Sequence, residues 1–294
     1  MNRRPIDSGV ALGAGAYVLW GLMPLYLKLL RDVPAVQVLA HRVLWSVLLV
    51  ALIALAMGRM GAIRRAARGR VVLLLTGSAT LIAVNWLVYI WSVQHAHVLE
   101  ASLGYFINPL VNVALGVAVL GERIGRVQLA AVALAALGVL AMAWNGGALW
   151  ISVVLALSFS FYGLIRKVVA IDALGGLFVE TLILAPVAAA ALGYAAATGQ
   201  GAFGRSPGTD LLLVAAGAVT TAPLLLFAAA AKRLRYATLG LLQYIGPSLQ
   251  FAQAVLLFGE PLRAAQLLSF ALIWSGCALY AWDGVREARR PAAA

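Results

Sequence analysis

The sequence predicts an all-α integral membrane protein of ten transmembrane helices arranged as two inverted five-helix repeats. Three observations predict it. Of 294 residues, 64% are hydrophobic and only 11% are charged, with a mean hydropathy of +0.97, whereas a soluble domain is about half apolar and about a quarter charged. Apolar runs of the roughly 17–25 residues needed to cross a bilayer recur along the whole chain. Finally, LEASLGYFINPLVNVALGVAVLGER (99–123) and TLGLLQYIGPSLQFAQAVLLFGEPLR (238–263), more than a hundred residues apart, follow one pattern.

The basic N-terminus, MNRRPIDSGV, reads as a cytoplasmic lead-in, because no small-residue cleavage site follows it. The ten helices are expected near 9–29, 35–57, 71–94, 100–120, 127–144, 148–168, 177–198, 210–231, 238–258 and 264–282. The links RDVP, GRMGAIRRAARGR, QHAH, GERIGR, WNGG, RKVVAID, TGQGAFGRSPGTD, AKRLRY and GEPLR separate them. Ten crossings put 17 of the 22 Lys and Arg on the N-terminal side and four on the other, with Arg42 inside helix 2. The positive-inside rule therefore makes both termini cytoplasmic. The net charge of +12 sits in these clusters, which is the pattern of membrane loops rather than a nucleic-acid-binding face. A single cysteine, Cys277, excludes an internal disulfide framework or a Cys-based metal site.

The internal repeat has particular markers. Pro109 precedes Glu122 by 13 residues and Pro247 precedes Glu260 by 13, and each Glu follows a glycine. Ala101-Ser102-Leu103-Gly104 echoes Ala237-Thr238-Leu239-Gly240, and Trp20-Gly21-Leu22 echoes Tyr162-Gly163-Leu164. With five helices per copy, the second copy enters the membrane from the opposite face. The expected units are 1–145 and 146–294.

WGLMPLY, HRVLWS, NWLVYIWSV, EASLGYFINPLVNVALG-x4-GER and LGLLQYIGPSLQ-x8-GE run in this order over essentially the whole chain. The set resembles the RarD branch of the EamA-type permeases, in the drug/metabolite transporter superfamily. The resemblance implies two EamA repeats, ten helices and cytoplasmic termini in a bacterial inner membrane. It also implies a central cavity that includes helices 4 and 9. The family is associated by name with chloramphenicol sensitivity or resistance, which does not define a natural substrate.

In helix 4, Tyr105, Asn108 and Asn112 share one face, as do Gln243, Gly246, Gln250 and Gln253 in helix 9. These amides either line a shared cavity or join packed helices. Pro109 and Pro247 each remove a backbone hydrogen bond and are candidate hinges. Asn85, Trp86 and Tyr89 in helix 3, and Tyr17 and Trp20 in helix 1, suit either an amphipathic cavity or packing. Lys28, His41, Arg42 and Glu100 are expected at the outer side as a gating or coupling cluster, in which Glu100 pairs with Arg42. A static ion pair or snorkelling is the alternative. Glu180 is expected near Arg166 and Lys167 as an inverted counterpart, while Glu122 and Glu260 read as end anchors. His95-Ala96-His97 supplies only two ligands, and Gly9-x3-Gly13 reads as close packing, so no metal or other cofactor is expected.

No GxxxxGK[ST], HExxH or GxSxG occurs, and the five Asp residues lie at segment ends or in loops. Direct ATP use and intramembrane catalysis are therefore disfavoured. A channel would show a pore repeated by oligomeric symmetry instead of an internal duplication. The expected function is secondary transport of small organic metabolites or drugs, outward and by alternating access, in a monomer or weak homodimer within the lipid bilayer. Proton coupling, uniport and exchange are equally compatible with the sequence.

Overall fold

The computed structural model describes residues 5–121, 125–144, 148–231, 233 and 242–288. Its elements are α1 (Pro5–Gly21), α2 (Met23–Leu29), α3 (Ala35–Ala56), α4 (Met60–Ala66), α5 (Arg70–Gln94) and α6 (Val98–Leu120). There follow α7 (Arg126–Trp144), α8 (Leu149–Val168), α9 (Ala173–Ala197), α10 (Pro207–Ala231), α11 (Ile245–Ala252) and α12 (Ala264–Ala288). A π-helical turn, Gln253–Leu257, extends α11. No strand occurs among the described residues.

Seven helical stretches among the described residues are long and apolar enough to cross a membrane. Three shorter apolar stretches lie in α7, in α11 with its π-turn, and in α12. Large apolar side chains such as Leu52, Leu73, Val187 and Leu256 stand exposed. That outward apolar surface suits lipid, since a soluble monomer rarely exposes large apolar patches.

The sequence-predicted spans and the helices differ in several places, four of them for a local reason. Helix 1 is broken at Leu22, because Pro24 has no N–H to give Trp20 and the Leu25 N–H turns to Leu22 instead of Gly21. The basic link 58–70 contains α4, a short helix that buries Ile63 and presents Arg64 and Arg65 outward. Helix 7 begins at Ala173, earlier than hydropathy suggests, because Asp172 caps it by accepting from the Gly175 N–H at 3.2 Å. The expected span 238–258 is described only from residue 242, and there α11 passes into the π-turn.

Helix α3 packs on α9 and α10, α6 on α8 and α11, and α12 on α7. Helix α1 packs on α10 and α11, and α5 on α8 and α9. One core joins Leu27 and Leu30 of α2 and its end to Ile90 of α5, Leu99 and Leu103 of α6, Ile151 and Leu155 of α8, and Phe270 of α12. A second joins Val50, Ile63, Leu75, Leu174 and Leu177. Close approaches use glycine: a Cβ on Gly104 would sit 2.9 Å from the Ser152 carbonyl oxygen, so α6 and α8 meet backbone to backbone.

Candidate functional site

Between these helices lies a cavity of about 430 Å³. From α1 come Tyr17 and Trp20, from α3 Arg42, and from α5 Asn85, Trp86 and Tyr89. Helix α6 contributes Tyr105, Asn108 and Asn112, and the region of α11 contributes Gln243, Gly246, Pro247 and Gln250. All ten residues expected to line a cavity therefore line this one. Helix α8 adds Phe159, Tyr162, Gly163 and Arg166, and α10 adds Thr220 and Phe227. The α8 residues stood on one helical face in the sequence at i, i+3, i+4 and i+7, a pattern that could have identified them. Nothing local marks Thr220 or Phe227.

The amides divide into two kinds. Asn85 Nδ2 donates to the Leu155 carbonyl and to Ser158 Oγ, both at 3.0 Å, while its Oδ1 accepts from the Tyr105 hydroxyl at 3.0 Å. It joins α5, α6 and α8. Gln250 Nε2 donates to the Trp20 carbonyl at 3.2 Å, and Gln253 Nε2 donates to the Gly21 carbonyl at 2.7 Å. Those are the carbonyls that the Pro24 break leaves without helical partners, so α11 completes the broken helix. Asn108 is fully buried, yet neither end of its amide has a partner. Arg42 Nη1, the Tyr89 hydroxyl and Gln250 Oε1 are likewise buried without a hydrogen bond. With Arg166 Nη1, which has an ion pair but no hydrogen bond, five lining residues bring such polar atoms to one cavity, where buried polar groups are ordinarily bonded.

Aromatic rings form much of the wall. Tyr17, Trp20 and Phe227 make a cluster with centroid separations of 5.4–6.1 Å. Tyr105 packs on Tyr89 at 5.5 Å and on Phe159 at 6.1 Å. Arg42 lies over the Trp86 ring at 4.8 Å, and its Nε donates to Thr220 Oγ1 at 3.0 Å.

The structure does not bring the four expected gating residues together. Arg42 faces the cavity, whereas Glu100 Oε2 lies 3.5 Å from His97 Nδ1, and Gln266 Nε2 lies 3.4 Å from its other oxygen. His41 stacks on Phe203 at 5.3 Å, and Lys28 lies over Phe258 at 4.8 Å. The expected Arg42–Glu100 pair is absent among the described ion pairs. The sequence placed both residues at similar depth, but α3 turns Arg42 toward α10 and Thr220 while Glu100 opens α6 beside α12.

Glu180 does meet Arg166, at 3.7 Å, and also accepts from the Ser78 and Tyr162 hydroxyls. Arg166 reaches it across Gly176, where a Cβ would overlap the guanidinium. Glu260 accepts from the Val98 and Leu99 N–H groups at 2.9 and 2.8 Å, capping α6. Burial pushes its carboxyl above the usual 4.5 and Glu100 adds to the rise, while the two N–H groups and Lys28 oppose it.

Helix α6 runs through Pro109 without a break, but that side chain, Glu122 and the side chain of Lys167 lie outside the described residues. Pro247 sits in α11, where its carbonyl accepts from Ser102 Oγ at 3.0 Å. His95 and His97 both stack on Trp91, and no group of three or more His, Cys, Asp or Glu set to hold a metal occurs among the described residues.

Comparison with known proteins agrees with a membrane transporter. Residues 7–144 match the EamA-like transporter family. An uncharacterised transporter of Pseudomonas aeruginosa is 49% identical over 96% of both chains. Protein RarD of Escherichia coli is 45% identical over 99% of both, and the chloramphenicol-sensitive protein RarD of P. aeruginosa is 36% identical over 97% of both. A solved structure titled only "Crystal structure of protein" shares the fold, with a TM-score of 0.65 at 19% identity over 97% of this chain and 99% of that one. With this likeness over nearly its full length, the chain is a multi-pass membrane protein that belongs to the EamA-like transporter family, in its RarD branch.

Proposed function

We propose that this protein is a secondary transporter that carries small organic molecules through the central cavity by alternating access. The observation that carries this reading is the gathering of Arg42 Nη1, Tyr89 Oη, the Asn108 amide and Gln250 Oε1, all buried and unpartnered, into one aromatic-walled space. Permanent packing would leave such groups bonded to one another, whereas a binding site holds them for a ligand.

The reading includes ten crossings in two inverted units, 1–145 and 146–294. In it α1–α2, α3, α5, α6 and α7 form the first unit, and α8, α9, α10, α11 and α12 form the second. The packing supports this through matched contacts. Helices α3 and α9 meet, as do α6 and α11, and α7 and α12, each the counterpart of the other. The α6–α8 contact has its mate in α1–α11, and α5–α8 in α1–α10.

By the charge asymmetry of the links, both termini face the cytoplasm. The cavity then reaches the cytoplasmic side at Arg166 and Ala173. The outer side is tied shut by Tyr26 on the Leu212 carbonyl, Gln37 on the Gln200 carbonyl, and Glu260 on α6. This geometry is the inward-facing stage of an alternating-access cycle. Counterflow in proteoliposomes, screened over a metabolite panel with and without a pH gradient, tests the reading. Accelerated exchange of at least one solute is expected, and a panel with no movement refutes it.

A further inference from the structure

We propose that the cavity recognises an organic monoanion: a carboxylate that meets Arg42 and carries a flat apolar body against the surrounding rings. The proposal rests on the reading of this cavity as the transport site and narrows its substrate class.

Two cationic side chains and no acidic one are among the described residues lining the cavity. Arg166 has a carboxylate, Glu180, at 3.7 Å. Arg42 has none within ion-pair distance among the described residues, although it is only 3% exposed. The Arg42–Arg166–Glu180 set therefore leaves one positive charge in excess when Glu180 is ionised. An uncompensated charge buried away from water is strongly disfavoured and in a membrane marks a functional site.

The guanidinium is held for a ligand rather than by one permanent partner. Thr220 takes Nε and the Trp86 face takes the plane, which fixes the fork, while Nη1 remains without a hydrogen bond. Arginine presents rigid paired donors that match a carboxylate. The Asn108 amide, with both ends free, offers a further donor and acceptor. Tyr17, Trp20 and Phe227 supply ring faces for an apolar body.

The test uses three probes of one shape: 3-phenylpropionate, 3-phenylpropionamide and 3-phenylpropylamine, titrated calorimetrically into the full-length protein in detergent. The anion should bind at least about tenfold more tightly than its amide, the ratio expected for a charge-assisted hydrogen bond. Arg42→Gln should abolish that preference and Arg42→Lys should restore part of it. The wild-type comparison needs no variant, so misfolding of Arg42→Gln leaves the test intact. An anion that binds no better than the amide, including binding by neither, overturns the proposal. So does a chloride-induced thermal shift that the organic anion does not exceed. In proteoliposomes the two readings separate: exchange of neutral solutes alone keeps the transporter and removes the anion site. Anion binding with no solute exchanged does the reverse.

Discussion

Gln253 donates from its amide nitrogen to the Gly21 carbonyl oxygen at 2.7 Å and to its own helix, at Leu249, at 2.9 Å. The first bond satisfies a carbonyl that the break before Pro24 removes from the helical ladder. Gln253→Leu stays large but leaves that buried carbonyl unpaired. The expected cost is about 1–3 kcal/mol, the penalty of an unsatisfied buried group. Thermal unfolding in detergent measures it, and an unchanged midpoint would show that water or another group takes over.

Arg166 can reach Glu180 only because residue 176 has no side chain. Gly176→Ala should displace the guanidinium and destabilise the protein by about 1–3 kcal/mol, as overpacking does. Gly193→Ala on the same helix is the control, since open space surrounds that position. In an Arg166→Ala background the three nearest atoms that the methyl would meet are gone, so its effect should shrink; additive losses would show that the clash lies elsewhere.

How far this arrangement could be read from the sequence depends on whether a residue's position along its helix or its direction around it decides the outcome. Apolar lengths and the Lys and Arg asymmetry mark the crossings, because both follow from the thickness and charge of a bilayer. The faces of Tyr105, Asn108 and Asn112 follow from helical period, and these residues do reach the cavity. The direction of Arg42 does not follow from them. Depth along helix 2 suggested Glu100 as its partner, but azimuth turns it to Thr220 and Trp86. Thr220 was illegible because its part depends wholly on where α10 packs. Helix 1 was expected to run unbroken over 9–29, so the break at Leu22 and the glutamines that complete it both required the fold.

Glu260 supplies a pH-dependent prediction. Its folded-state pKa is raised above the ordinary value of 4.5, chiefly by burial. A raised carboxyl contributes stability that is fully present below the unfolded pKa and is lost as pH rises through the folded one. Wild-type protein should therefore lose more stability than Glu260→Gln as pH rises from 4.5 toward neutrality. Glu260→Ala should be weaker at every pH, because both caps on Val98 and Leu99 are gone. Unfolding midpoints over that range decide the matter; parallel curves for wild type and Glu260→Gln would remove Glu260 as the titrating group. Glu100, His97 and Lys28 share this end of the molecule.

Asn85 and Asn108 offer the sharpest contrast between joining helices and holding a ligand. Both are buried and both line the cavity. Asn85 has three hydrogen bonds to α6 and α8, whereas Asn108 has none through its amide. Asn85→Leu strands the Tyr105 hydroxyl and should cost about 1–3 kcal/mol of stability. Asn108→Leu removes two unsatisfied atoms, keeps the number of side-chain heavy atoms and has the cavity beside it for its extra bulk, so its unfolding midpoint should stay level or rise. Its counterflow rate should nevertheless fall, because the lost amide served the ligand and not the fold. Midpoints and transport measured on both variants give opposite orderings if the two roles are separate. If Asn108→Leu is the less stable protein, the amide is structural and its place in the binding site is lost.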